Sequence, residues 1–136
     1  MTKKTKITET PLVTEAIKSD ILAPLTDAIV EAMQSKKGQD IVSLDLRKLD
    51  NRFVDKFIIC HGDNDRQVGA IAKEIEDHVK KTLDDRPWHR EGFENREWIL
   101  LDYVNIVVHV FLKEKREFYA IEELWGDADI EEFKEL

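Results

Sequence analysis

Trp98-Ile99-Leu100-Leu101-Asp102-Tyr103-Val104-Asn105-Ile106-Val107-Val108-His109-Val110-Phe111-Leu112 is the stretch that decides the fold. Two runs rich in β-branched and aromatic residues, Trp98–Asp102 and Ile106–Leu112, flank three residues short enough for a hairpin, so the spacing predicts two antiparallel strands. The second run is apolar almost throughout, as expected of a strand covered on both faces. Working outward, Asp40–Leu46 and Phe57–Cys60 read as two further buried strands separated by a polar turn, 48–52. After Cys60 comes His61-Gly62-Asp63-Asn64-Asp65, a tight turn in which Asp63 or Asn64 caps a helix whose buried stripe is Val68, Ile71, Ala72, Ile75 and Val79. Upstream, Ile21, Leu22, Leu25, Ile29, Val30 and Met33 recur at three and four residues and stop at Lys36-Lys37-Gly38, the pattern of an amphipathic helix. Pro24 means that this helix starts near Ala23 or that a longer one is kinked there. Thr10 before Pro11 is a second helix-start signal. Pro87–Glu91 reads as a short strand, and Glu114–Leu124 as a last helix with Phe118, Ile121, Leu124 and Trp125 on one side, after which the chain is expected to fray. The order predicts an α/β (α+β) fold, a mixed β-sheet flanked by helices.

At 136 residues the chain suits one domain with a single core, and 42% apolar with 37% charged residues describes a soluble globular protein. No apolar run approaches the roughly 20 residues of a bilayer crossing. Lys3, Lys4 and Lys6 have no apolar stretch behind them, so no secretory signal is expected and the cytoplasm is the default address. The single cysteine, Cys60, excludes an internal disulfide and a cysteine-based zinc cage. A net charge of −8 argues against broad nucleic-acid binding and for a basic protein partner. That charge is uneven: Met1–Asp20 sums to +1, Ile21–Tyr119 to −3 and Ala120–Leu136 to −6.

Three carboxylates, Asp45, Asp55 and Asp102, lie in or beside strands, where they could converge on magnesium for phosphoryl transfer. A nucleotidyl transferase, however, needs a closely spaced pair after a Gly-Ser turn, and neither the turn nor an Asp-x-Asp pair on one strand is present. There is no Walker loop and no dinucleotide-binding glycine pattern. Cys60 and His61 are neighbours, but alternation sends them to opposite faces of a strand, which opposes a nucleophile–base pairing and favours a core cysteine. His109 shares a face with Val107 and Phe111, the setting of a hydrogen-bonded structural histidine. Trp98, Leu100 and Asp102 share a face as well. That mix suits an interface anchor, and equally a core Trp98 with Asp102 capping the hairpin.

Seven stretches together resemble one family: Gly38-Gln39-Asp40-Ile41-Val42, Asp55-Lys56-Phe57-Ile58-Ile59-Cys60, Arg66-Gln67-Val68, Glu91-Gly92, Trp98-Ile99-Leu100-Leu101-Asp102-Tyr103, Val107-Val108-His109-Val110-Phe111, and Arg116-Glu117-Phe118-Tyr119-Ala120-Ile121-Glu122-Glu123-Leu124-Trp125. In order and spacing they are similar to the Iojap-like ribosomal silencing factors. The resemblance implies a nucleotidyltransferase-like fold without the catalytic motifs, no enzymatic activity and no cofactor or metal. It also implies binding to the large ribosomal subunit through the ribosomal protein uL-fourteen, where the bound factor blocks the small subunit and lowers translation when nutrients run short. Contacts to ribosomal RNA would be minor, and homodimerisation stays open. Glu91, Gly92, Trp98, Asp102, Tyr103, His109 and Phe111 match the most characteristic stretch and are the expected ribosome contacts. Val104-Asn105 stands where the family usually has Gly-Asp. The expected organisation is an N-terminal arm, 1–20, a family domain, 21–125, and an acidic C-terminal tail, 126–136. Two alternatives remain: an assembly factor acting on the same surface, and an atypical metal-dependent nucleotidyltransferase.

Overall fold

The computed structural model of this chain describes residues 20–50 and 52–136. Its elements are α1 (Ala23–Ser35), β1 (Gln39–Asp45), β2 (Lys56–Gly62), α2 (Asp65–Leu83), β3 (His89–Glu91), β4 (Trp98–Asp102), β5 (Ile106–Leu112), α3 (Lys113–Tyr119), α4 (Ile121–Leu124) and β6 (Asp129–Phe133). The six strands form one mixed sheet in the order β3-β4-β5-β2-β1-β6. The central pair β2–β5 is parallel and the other pairs are antiparallel. This is the α+β arrangement the strand and helix order predicts.

Local chemistry explains the element ends. Pro24 sits in the first turn of α1, where its missing N–H costs no helical hydrogen bond, and the Asp20 carboxylate accepts from the Leu22 amide at 2.9 Å. The helix therefore starts at Ala23 and is not a kinked continuation. The helix start read at Thr10-Pro11 lies outside the described residues. For α2 the cap is Asn64, whose side chain accepts from the Gln67 amide at 2.9 Å.

Both helices cover one face of the sheet. All five stripe residues of α2 are buried there with Ile29 and Met33 of α1 and Ile58, Cys60, Ile99, Leu101, Val108 and Val110 of the strands. The opposite face carries a separate, smaller cluster: Leu44, Leu46, Val54, Phe57, Ile59, Phe111 and Ile121.

Two expectations are corrected. The last helix is not continuous: Ala120 takes a left-handed conformation (φ +43°) and splits it into α3 and α4. Phe118 and Leu124, expected on its buried side, are 77% and 76% exposed, while Ile121 is buried and Trp125 half-buried. The break is held by Arg116, which is buried, donates to the Asp40 carbonyl at 2.8 Å and forms a bidentate pair with Glu122 across the turn. The acidic end is not frayed either. β6 pairs with β1 from Ile41–Phe133 to Asp45–Asp129, placing Ile130 on the smaller cluster and Phe133 on the larger. Its charges conceal its strand character, yet they suit an edge strand, because charged side chains there oppose pairing with other chains.

Candidate functional site

Register decides which side chains meet. Trp98 opposes Phe111, Leu100 opposes His109 and Asp102 opposes Val107, while Phe57 and Ile59 of β2 oppose Val107 and His109. Glu91 opposes Leu100. All of these point away from α1 and α2, so Glu91, Trp98, Asp102, His109 and Phe111 share the face that the helices leave open.

On that face the rings touch in sequence. Phe118 meets Tyr119 at 5.0 Å between centroids, Tyr119 meets Trp98 at 4.7 Å, and Trp98 meets His109 at 5.9 Å. His109 meets Phe57 at 4.7 Å, Phe57 meets Trp125 at 6.0 Å, and Trp125 stacks on Phe53 at 5.8 Å. The row is buried in its middle and open at its ends, where Phe53 is 71% exposed. Phe53 and Tyr119 were missing from the expected contacts because each lies outside a strand, where no alternation assigns a face, and Phe57 because it lies outside the family's most characteristic stretch, although its alternation with Ile59 in β2 points it to this face. Several aromatic residues just outside the strands were the available signal.

His109 sits at the centre of this row. The Trp98 indole Nε1 donates to its Nδ1 at 3.0 Å, which leaves the proton of the neutral ring on Nε2, an atom with no partner among the described residues. Burial pushes its pKa down to about 3, so the ring is neutral near pH 7. It is a structural histidine that orients Trp98. Phe111 is likewise fully buried beneath Trp98, stacked at 4.9 Å.

The remaining expected contacts divide. The Asp102 carboxylate accepts from the Val104 amide at 2.8 Å and so caps the hairpin, while remaining half-buried on the open face. Glu91 is exposed and bonded to His89 at 2.5 Å. Gly92 presents backbone: its φ is +91°, and a Cβ there would lie 2.1 Å from the Trp98 carbonyl oxygen, so the turn into β4 admits no side chain. Tyr103 is on the wrong side for the open face. It is buried in the helix-covered core, and burial, reinforced by Glu76 and Asp85, raises its pKa.

The three aspartates considered for a metal are dispersed into separate structural pairs. Arg47 holds Asp45 through two side-chain bonds, at 3.0 and 2.6 Å. Burial alone would raise the Asp45 carboxyl, but these bonds and the charge of Arg47 outweigh it and keep it below the ordinary range. Asp55 accepts from Asn105 at 3.0 Å and pairs with Arg52. Among the described residues no group of three His, Cys, Asp or Glu side chains is placed to hold a metal ion. Cys60 is buried on the helix side, where desolvation pushes its thiol up to about 12. His61 faces the other way and accepts from Arg116 at 3.0 Å; burial, then the Arg116 charge, lowers its pKa. No helix among the described residues is long and apolar enough to cross a membrane.

Comparison with known proteins gives this geometry a context. A family model described as "Ribosomal silencing factor during starvation" matches residues 19–136, which takes in β6 and the acidic end. The chain is 42% identical over 106 residues to the ribosomal silencing factor of Bacillus subtilis, covering 73% of this chain and 82% of the relative. It is 28% identical over 103 residues to the mouse mitochondrial assembly of ribosomal large subunit protein 1, covering 73% of this chain and 44% of that one. A crystal structure of a Chromobacterium violaceum protein superposes with a TM-score of 0.73 at 36% identity, covering 79% of this chain and 88% of the other. One from Bacillus halodurans gives 0.67 at 35%, covering 76% and 94%. With the model matching nearly the whole described chain and the fold shared at this identity, the chain belongs to the ribosomal silencing factor family.

Proposed function

We propose that this protein acts in the cytoplasm without catalysis, docking its open aromatic face on ribosomal protein uL-fourteen of the large subunit so that the small subunit cannot join. The observation that carries this reading is the row of rings from Phe118 to Phe53. Its middle is buried, but Phe118 and Tyr119 at one end and Phe53 at the other stay exposed, an apolar display that costs solubility and is accepted where a partner covers it. Trp98, with its ring held by His109 and Phe111, is the anchor, and Leu100, Asp102 and Glu91 extend the surface toward β3. Charge supports a basic partner. Beside the rings, a cleft of about 660 Å³ between α3–α4 and β6 is rimmed by Glu117, Glu123, Glu132 and Glu135.

Sedimentation of the purified protein with separated ribosomal subunits tests the proposal. Co-sedimentation with large subunits and loss of joined ribosomes on adding small subunits are expected; association with small subunits only would refute it. The mouse relative's name favours a second reading, assembly of the large subunit, which instead requires enrichment on immature over mature particles.

A further inference from the structure

Against the overall charge of −8, one depression is lined by four cations. It has a volume of about 420 Å³, lies beside the first turns of α2 on the helix side of the β3–β4 edge, and is formed by Arg66, Lys73, Arg90, Arg96 and Phe93 around Gly69 and Ala70, with Glu76 as the one acid. Arg90 is committed: it makes a bidentate pair with Glu76 at 2.7 and 3.1 Å, and its guanidinium lies 3.9 Å over the Phe93 ring. The other three cations are available. Arg66 has no ion-pair partner among the described residues. Lys73 is joined to Asp77 by an exposed pair at 3.1 Å, an interaction worth little in water. Arg96 is 3.8 Å from Asp65, beyond hydrogen-bond reach, and its Nε has no acceptor among the described residues.

The placement of Arg96 is built at a cost. Its backbone is left-handed (φ +56°), and its side chain crosses α2 at Gly69, where a Cβ would come within 2.8 Å of Arg96 Cδ. A glycine inside a helix and a left-handed arginine are each less stable than the ordinary choice, and together they lay the Arg96 side chain across α2 at Gly69, one turn after Arg66 and one turn before Lys73. These two are seven residues apart on one stripe of the helix. Their backbones are about 10 Å apart along the helix axis, so the cations are spread along α2 and not gathered at one point, an arrangement matched to an anion whose charge repeats.

We propose that the Arg66–Arg96–Lys73 row is a binding site for the phosphodiester backbone of structured RNA lying beside the docked protein partner. The proposal rests on the large-subunit reading above. The β3–β4 edge carries both surfaces: Glu91 and Leu100 point to the open face, while Arg90 and the row of cations lie on the other side. A particle that meets this edge touches both at once. The negative charge elsewhere keeps the protein off RNA in general, so the row acts as a second, local foothold.

The test is binding of the full-length protein to purified bacterial large subunits between about 50 and about 200 mM salt, for wild type, Arg66→Gln/Lys73→Gln/Arg96→Gln, Gly69→Ala and Phe53→Ala. Each phosphate contact contributes roughly 0.7 to 0.9 to the slope of log affinity against log salt, so the triple variant should flatten the slope by about two and bind at least about tenfold more weakly at low salt. Gly69→Ala, which displaces Arg96 and favours the helix, should flatten it by about one. Phe53→Ala should weaken binding with its slope intact. A second arm uses a protein-free ribosomal RNA hairpin and inorganic phosphate as probes: the hairpin should bind wild type at low salt and the triple variant much less, and phosphate should not compete at millimolar levels. A triple variant with wild-type slope and affinity overturns the site. A flattened slope without hairpin binding assigns the row to an acidic protein segment, and competition by inorganic phosphate assigns it to a small anion; either overturns the RNA assignment. If wild type binds no large subunit at any salt, the parent reading fails, an outcome distinct from failure of the variants to differ.

Discussion

The two faces of this sheet are built from the same strands and do opposite work. On one, Ile58, Cys60, Ile99, Leu101, Val108 and Val110 are aliphatic or small and are sealed by α1 and α2. On the other, Phe57, Trp98, His109 and Phe111 are aromatic and are partly covered by the segment from α3 to β6. The difference teaches how function is placed on an α+β domain. Interdigitated aliphatic packing provides stability on the sealed side. On the proposed reading, the large flat rings of the other side provide contact area with little side-chain entropy to lose when a partner arrives.

If that division is right, substitutions on the two faces should separate stability from binding. The largest effect is expected on the sealed face: Ile99→Ala should destabilise the domain by about 2 to 5 kcal/mol in denaturant titration, while the fraction that remains folded keeps its affinity for large subunits. Lost affinity in the folded fraction would break the comparison.

His109 makes the open face sensitive to acid. Its folded pKa, about 3, is below the ordinary 6.5, so the unfolded chain takes up a proton that the folded chain refuses. The stability associated with the neutral ring is thus complete above pH 6.5 and is lost as pH falls toward 3, by about 3 kcal/mol between pH 7 and pH 4. His61, lowered in the same direction, adds to the trend. Stability measured across this window should be visibly flatter in His109→Gln, which does not titrate; an unchanged slope would mean that the ring is not held neutral.

At the exposed end of the aromatic row, Phe53→Ala should reduce large-subunit affinity by about 10- to 30-fold, roughly 1.4 to 2 kcal/mol, and change stability by about 0.5 kcal/mol or less. The smallest effect concerns neither face. Val104 has φ +80° in a three-residue turn closed by the Asn105 amide on the Tyr103 carbonyl at 3.0 Å, a strained setting for a β-branched residue. Val104→Gly should raise stability by about 1 kcal/mol without altering affinity, as read from paired melting and binding curves.

The fold was legible wherever periodicity is dictated by one buried surface. α2 shows all five of its stripe residues buried, and β4 and β5 pair as the hairpin spacing implies. The Iojap-like resemblance likewise led to the family. The site was less legible. Alternation placed Trp98, Leu100 and Asp102 together and His109 with Phe111, but it could not distinguish a ring on the surface from a ring beneath one. Tyr103 follows Asp102 directly, so the same alternation sends it with Ile99 and Leu101 into the helix-covered core, a placement that the family match alone did not weigh.

By itself, then, the sequence determined what is local or compositional: the capped helices, the antiparallel β4–β5 pair, the excess negative charge, and the opposed directions of Cys60 and His61. Tertiary structure decided what depends on partners distant in the chain. The acidic stretch 129–133 is a strand because β1 offers it an edge, and the helix after β5 breaks at Ala120 because Arg116 reaches back to Asp40. Phe53, Trp98 and Tyr119 come to one face because the loop before β2, the start of β4 and the end of α3 converge on it. Each outcome is a contact between segments that carry no signal of one another until the sheet forms.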